Sequence, residues 1–235
     1  MGLYLSVSAL HTDEKGEDVN DILFREIGLR GHRRLPRSMA IRKSGKNQVL
    51  ISTESPDWLL IVYPNGFLDG FGCTSILAEL FDCKAFNFEL YDNMFWWYNF
   101  FRSDELVDIF WQHPTFFSGL HPSEKLNDRA LEARKGNPKF VASQFDGVIV
   151  DEIMPYYRQL DDSEFSELKL TDYDGYEKKL KETRVKFDYK ANEGDKYTLI
   201  SPWVLTDFAA KFGIIYPTQV QSHNDLKFFA LKPKD

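Results

Sequence analysis

Ala85-Phe86-Asn87-Phe88-Glu89-Leu90-Tyr91, then Phe95-Trp96-Trp97-Tyr98-Asn99-Phe100-Phe101, then Leu106-Val107-Asp108-Ile109-Phe110-Trp111: these three runs decide the fold. The first alternates, with Phe86, Phe88 and Leu90 pointing one way and Asn87 and Glu89 the other, which is the two-residue period of a strand. Asp92-Asn93 supplies a turn, and Arg102-Ser103-Asp104-Glu105 supplies a second. The segment reads as an antiparallel three-strand meander. An exposed face this rich in aromatic side chains would aggregate, so helices are expected to cover it. Trp96 and Trp97 are adjacent and must point to opposite faces. One of them is therefore expected as a second-layer contact or as an exposed anchor for a partner.

Upstream of the meander, Leu3, Leu5 and Val7 share one face of a first strand. Asp18 caps a helix over Val19–Ile27 that Gly28 ends. Val49-Leu50-Ile51 and Trp58–Tyr63 read as strands, the second with no polar face and hence covered on both sides. Pro64-Asn65-Gly66 reads as a turn. Thr74–Phe81 has helical spacing, and Gly66, Gly70 and Gly72 read as turn glycines before it.

Downstream, a helix is expected over Ser123–Lys135, with Leu126, Ala130 and Ala133 inward and Gly136 as its stop. A short strand is expected around Val148-Ile149-Val150. Residues 155–175 read as irregular. Asp174 with Glu177 predicts a capped helix over residues 175–187 with Tyr176, Leu180 and Phe187 on one face, and a strand through Val185, Phe187 and Tyr189 competes with it. Thr206–Phe212 reads as a helix closed by Gly213, and Phe228–Leu231 as a last strand. Strands and helices mix without regular alternation, so the fold class is α+β. The expected organisation is one domain over residues 1–235, with a possible subdivision into a sheet core at 1–120 and a helical or irregular part at 121–235.

The chain has 235 residues and a net charge of −7. Its 43% hydrophobic content excludes a collagenous or globally disordered chain. No run of about 18 apolar residues exists, so no membrane-spanning helix is expected. The N-terminus lacks a basic region ahead of its apolar run, which argues against a secretory signal and for the cytoplasm. Cys73 and Cys83 flank a helical segment that would hold them about 15 Å apart at 1.5 Å per residue, so two reduced thiols are expected.

Charge is segregated. Arg25–Lys46 carries eight basic residues against Glu26, and Asp151–Glu177 carries nine acidic residues against Arg158 and Lys169. The basic stretch lacks the interleaved aromatics that single-strand binders use, and its arginines can equally pair with the chain's own acids.

The chemistry that motifs would carry is absent. None of His11, His32, His113, His121 and His223 shows metal-ligand spacing, so no metal or cofactor is expected. His113 and His121, each followed by proline, read as ordinary surface histidines after the third meander strand. No nucleophile elbow or phosphate loop occurs. No catalytic residue is assigned.

The meander also carries a resemblance. Lys84–Asp92, Trp96-Trp97-Tyr98-Asn99-Phe100-Phe101, Glu105–Phe110 and Pro114-Thr115-Phe116-Phe117, together with Met1-Gly2-Leu3-Tyr4-Leu5, resemble a bacterial family similar to the cytoplasmic immunity proteins that neutralise polymorphic toxins. The resemblance covers about residues 1–7 and 45–120 and brings no catalytic residues. It implies a non-enzymatic protein that inhibits a toxin by stoichiometric binding.

The partner would be a protein, and a basic toxin domain suits the acidic segment. Its candidate contacts are Tyr157, Asp161, Asp162, Glu164, Glu167, Asp172, Tyr173 and Asp174, with Tyr156 and Tyr176 nearby. A solvated loop is the competing reading of the same residues. The alternatives are a hydrolase or transferase using His113 or His121, and a nucleic-acid-binding module using Arg30, Arg33, Arg34 and Arg37.

Overall fold

The structure is a computed structural model and describes residues 4–13, 48–52, 54–63, 67–92, 94–116, 126–162, 164, 167–216 and 227–230. The helix expected at Val19–Ile27, the basic stretch, the Pro64–Gly66 turn and His121 lie outside them.

The fold is α+β. Seven strands form one sheet: β1 (Tyr4–His11), β2 (Gln48–Ser52), β3 (Trp58–Val62), β4 (Lys84–Tyr91), β5 (Phe95–Arg102), β6 (Glu105–Trp111) and β7 (Lys227–Ala230). Their order is β6-β5-β4-β1-β3-β2-β7. β1 pairs antiparallel with β3 from Val7↔Val62 to His11↔Trp58, and β2 pairs antiparallel with β3 and with β7. Between β1 and β4 the Tyr4 hydroxyl donates to Glu89 (2.7 Å) and Asn87 donates to the Ser6 hydroxyl (3.2 Å). Residue numbers that run in opposite senses mark this pair as antiparallel too. The meander lies where the alternation puts it. Its turns pass through Asp92 (φ 50°) and Ser103 (φ 54°), in the left-handed region that short polar residues tolerate.

The chain divides into two compact units: Met1–Glu89, Asn99–Val107 and Gly213–Asp235 form one, Leu90–Tyr98 and Asp108–Phe212 the other. In the first, helix α1 (Gly70–Leu80) lies on the sheet face that carries Ser6, Ser8 and Leu10. The helix begins four residues before the expected Thr74, so Gly70 and Gly72 are helical and not turn residues. The reason is packing. A Cβ at Gly70 would stand 1.7 Å from the Ser6 hydroxyl oxygen and 3.1 Å from the Asn87 amide nitrogen. Only glycine allows so close an approach, and tertiary contact overrides its weak helix propensity.

Beneath α1 the contact is part apolar and part polar. Leu10, Ile51, Leu59, Ile61, Cys73, Leu77, Ala85 and Phe101 form a buried cluster. Beside it the Ser8 hydroxyl sits 2.5 Å from Thr74 and 2.9 Å from Tyr63, and Asn99 donates to Asn87 at 3.0 Å. Asn87 and Glu89 therefore face away from Phe86 and Phe88, as the alternation predicts, but they too are buried. Neither cysteine is in a disulfide, and burial pushes the Cys83 thiol up to about 12.

The second unit holds short helices: α2 (Asp128–Glu132), α3 (Pro138–Ser143), α4 (Val150–Ile153), α5 (Leu168–Thr171), α6 (Tyr173–Val185) and α7 (Val204–Ala210). Phe208 of α7 packs on Trp96 (5.4 Å between ring centroids) and Tyr98 (5.6 Å). Trp97 meets Trp111 at 5.6 Å. Both tryptophans of the pair are buried, so the second-layer reading holds and the exposed-anchor reading does not.

Several expectations are corrected here. Of the helix expected over Ser123–Lys135, the described part holds one short helix, Asp128–Glu132, capped by the Asn127 side chain and closed at the exposed Ala133; Gly136, at φ +68°, lies beyond its end and does not stop it. Val150 opens α4 where a strand was expected, because β-branched composition alone cannot separate a strand from a buried helical turn. Residues 168–171 and 173–175 are helical, not irregular. The Asp172 side chain, not Asp174, caps α6 by accepting the Gly175 N–H at 3.0 Å, and the helix ends at the exposed Val185. Tyr176 and Leu180 are its buried face, Phe187 lies beyond it, and no strand runs through Val185–Tyr189. The last helix spans Val204–Ala210 and the last strand Lys227–Ala230, each starting earlier than expected. Gly213 follows at φ +75°.

Candidate functional site

The acidic segment and the end of β6 meet in the second unit. Past Trp111, the Gln112 side chain accepts the Trp96 N–H at 3.3 Å and donates to the Leu199 carbonyl at 2.8 Å. The Gln112 carbonyl accepts the Leu160 N–H at 2.7 Å. That bond brings Asp162 onto the loop after β6. Its carboxylate accepts the Thr115 hydroxyl on one oxygen and the Tyr176 hydroxyl, at 2.9 Å, on the other. His113 Nε2 lies 3.2 Å from the oxygen that Tyr176 bonds, and the histidine and aspartate side chains are both 0% exposed. Phe95 and Phe116 pack on the imidazole with ring centroids 5.5 and 5.4 Å away.

A buried carboxylate is tolerated only when paired and hydrogen-bonded, and here two hydroxyl donors converge on it with an imidazole nitrogen 3.2 Å away. The arrangement resembles the base–orienter half of a catalytic triad, but both partners are withdrawn from solvent. The Thr115 hydroxyl is directed to the aspartate and not to the histidine, so no nucleophile–base contact is formed. One carboxylate ties β6's end, residues 160–162 and α6 together. His113 is thus a core histidine, correcting its reading as a surface group.

The expected contact residues separate into two sets. Asp162 and Tyr157 are drawn inward. Tyr157 bonds the Tyr98 hydroxyl at 2.7 Å and packs on Phe208, and burial pushes its phenol well above the ordinary range. Tyr156 and Tyr176 are buried as well. Asp161, Glu164, Glu167, Asp172, Tyr173 and Asp174 are exposed. Tyr173 is 49% exposed and lies within electrostatic reach of Glu177, Tyr91 and Asp92. The outer set is five exposed acids and one exposed tyrosine between residues 161 and 174.

Two further carboxylates, one half-buried and one buried, escaped the sequence reading. Asp108 accepts the Tyr98 hydroxyl at 2.5 Å, and burial raises its carboxyl despite that bond and two backbone donors, Asn137 and Ile109. Asp195 accepts the Tyr156 hydroxyl (2.7 Å) and the Asn192 N–H (2.9 Å) and pairs with Lys211 (3.3 Å). A tyrosine accompanies each of the three aspartates, but partners 10, 14 and 39 residues away in sequence leave no spacing to read. Among the described residues no group of three or more His, Cys, Asp or Glu is disposed to hold a metal ion, and no helix is long and apolar enough to cross a membrane. Comparison with known proteins finds no matching family, no matching curated protein and no matching solved structure.

Proposed function

We propose that the chain is a non-enzymatic binding protein acting in a bacterial cytoplasm, and that it neutralises a basic toxin domain by stoichiometric binding. The observation that carries this reading is the outer set: Tyr173, 49% exposed, in a stretch of sequence where Asp161, Glu164, Glu167, Asp172 and Asp174 are exposed too. Acidic groups steer a basic partner and set its orientation, and a tyrosine among them supplies contact area with little conformational entropy to lose. The hydrolase alternative uses His113 or His121: His113 is buried, and His121 lies outside the described residues. The nucleic-acid alternative rests on residues outside those described.

The test is co-expression with the product of the adjacent upstream gene. The expected outcome is restored growth and a one-to-one complex by light scattering. Reversing Asp161, Glu164 and Asp174 to lysine together should weaken that complex at least tenfold, or about 1.4 kcal/mol. An upstream product that is not toxic, or that forms no complex, overturns the reading.

A further inference from the structure

β6 is the last strand at its end of the sheet, and a terminal strand turns a row of backbone N–H and C=O groups outward. In the second unit that row can be followed. The Gln112 N–H, just past β6, donates to the Trp96 carbonyl of β5 at 3.1 Å. The Trp111 N–H points the other way and donates to the Arg134 carbonyl at 3.0 Å. Alternate residues of a strand share an edge, so Ile109 presents its backbone groups on the same side as Trp111. The Trp111 carbonyl accepts the Gln159 side-chain amide at 3.0 Å, and the Ile109 N–H donates to the Asp108 carboxylate.

The segment on this edge is a short strap, Arg134–Asn137. Phe110 and Lys135 form an isolated antiparallel bridge, which sets Asp108 opposite Asn137. There the Asn137 N–H goes to the Asp108 side chain, and the next residue, Pro138, opens α3 with no N–H to give. Gln159 also donates to the Arg134 carbonyl at 2.9 Å, and the Arg134 guanidinium lies 4.7 Å from the centre of the Trp111 ring. Gly136, at φ +68°, lets the strap pass: a Cβ there would stand 2.5 Å from the Tyr157 ring and 3.0 Å from the Phe110 Cβ. The strap is itself a poor template for another strand, because it carries the exposed Lys135 and runs into Pro138.

We infer that Arg134–Asn137 is an edge guard: with Asp108 and Gln159 it occupies the outward groups of Ile109 and Trp111 and keeps a second copy of this chain from adding a strand to β6. A second copy is the occupant to be excluded, because every copy carries the same edge and two such edges pair antiparallel about a two-fold axis. The inference does not rest on the binding function proposed above.

The test releases the guard in the full-length chain. Gly136→Val cannot seat the strap against Tyr157, and Gln159→Ala removes two hydrogen bonds that hold it. Hydrogen exchange at the Trp111 amide, taken at the lowest concentration, reads release; the Tyr176 amide, bonded to the Asp172 carbonyl, is the control. Sedimentation equilibrium between about 1 and 100 µM reads association. In both variants Trp111 protection should fall at least tenfold, Tyr176 protection should hold, and the mass should rise with concentration, whereas the wild-type mass stays constant. Adding Ile109→Pro, which deletes an outward N–H of β6, should return the mass to the wild-type value. Where Gly136→Val loses Tyr176 protection as well, Gln159→Ala alone decides. The guard is overturned by Trp111 protection that survives Gln159→Ala, by a released strap with no gain in mass, by a gain that persists with Ile109→Pro, or by wild-type association that Ile109→Pro abolishes.

Discussion

Asp108 shows how a single residue can cost stability and still be held in place. Its carboxyl is raised, first by burial, although Tyr98 and two backbone N–H groups pull the other way. In the unfolded chain it titrates near the ordinary value of about 3.9. Between that value and the raised folded one, the native state binds more protons than the unfolded state. Stability therefore falls as pH rises through the window and stays lower above it. Asp108→Asn keeps an oxygen for the Tyr98 hydroxyl and removes the titration. The difference in unfolding midpoint, wild type minus Asp108→Asn, is expected to become steadily less favourable to the wild type as pH rises from about 3.5 to about 6. A difference that does not change with pH would mean Asp108 is ionised alike in both states. Asp195 lies 3.3 Å from the Lys211 ammonium and Asp162 3.2 Å from the His113 imidazole, whereas the Asp108 carboxylate accepts the Tyr98 hydroxyl.

At the scale of elements, the approach of α1 to β1 is the sharpest case of geometry dictated by one side chain. Gly70→Ala would drive a methyl group into Ser6, and overpacking of this kind costs about 1–3 kcal/mol. Ser6→Gly removes the obstructing hydroxymethyl, so the double variant should recover much of the loss by chemical denaturation, with a coupling energy of about 1 kcal/mol or more. Additive effects would show that α1 can simply shift. The same helix marks the boundary of what the sequence discloses. The meander was legible because strand alternation is a local pattern with two marked turns between dense aromatic runs. The start of α1 was not, because Gly70 and Gly72 read as turn residues until β1 is known to lie against them. Val148–Val150 looked like a strand because its composition is ambiguous without its neighbours. Tyr176 and Leu180 were legible as a helix face, whereas the choice of Asp172 over Asp174 as cap depends on where the chain turns after α5. The candidate site divides the same way: exposed acids were visible as a charge run, and the burial of Asp162 and His113 required partners up to 63 residues apart, from His113 to Tyr176.

On the scale of the whole molecule, a net charge of −7 attracts any basic partner, and attraction by overall charge must be separated from attraction by one surface. Reversing Asp161, Glu164 and Asp174 to lysine changes the charge by +6, giving −7 + 6 = −1. Reversing the exposed Asp104, Asp146 and Asp188 gives the same −1 from elsewhere in the chain. An arginine-rich peptide serves as the probe. Association with the wild-type chain should slow about tenfold or more between roughly 20 and 200 mM salt, with dissociation changing much less, because screening over about a Debye length acts on encounter before contact. If the acidic surface is the docking face, the first triple variant loses most of the salt-sensitive rate and the second retains most of it. Equal losses in the two variants would assign the steering to net charge, and the outer set around Tyr173 would then have no claim to be a binding surface.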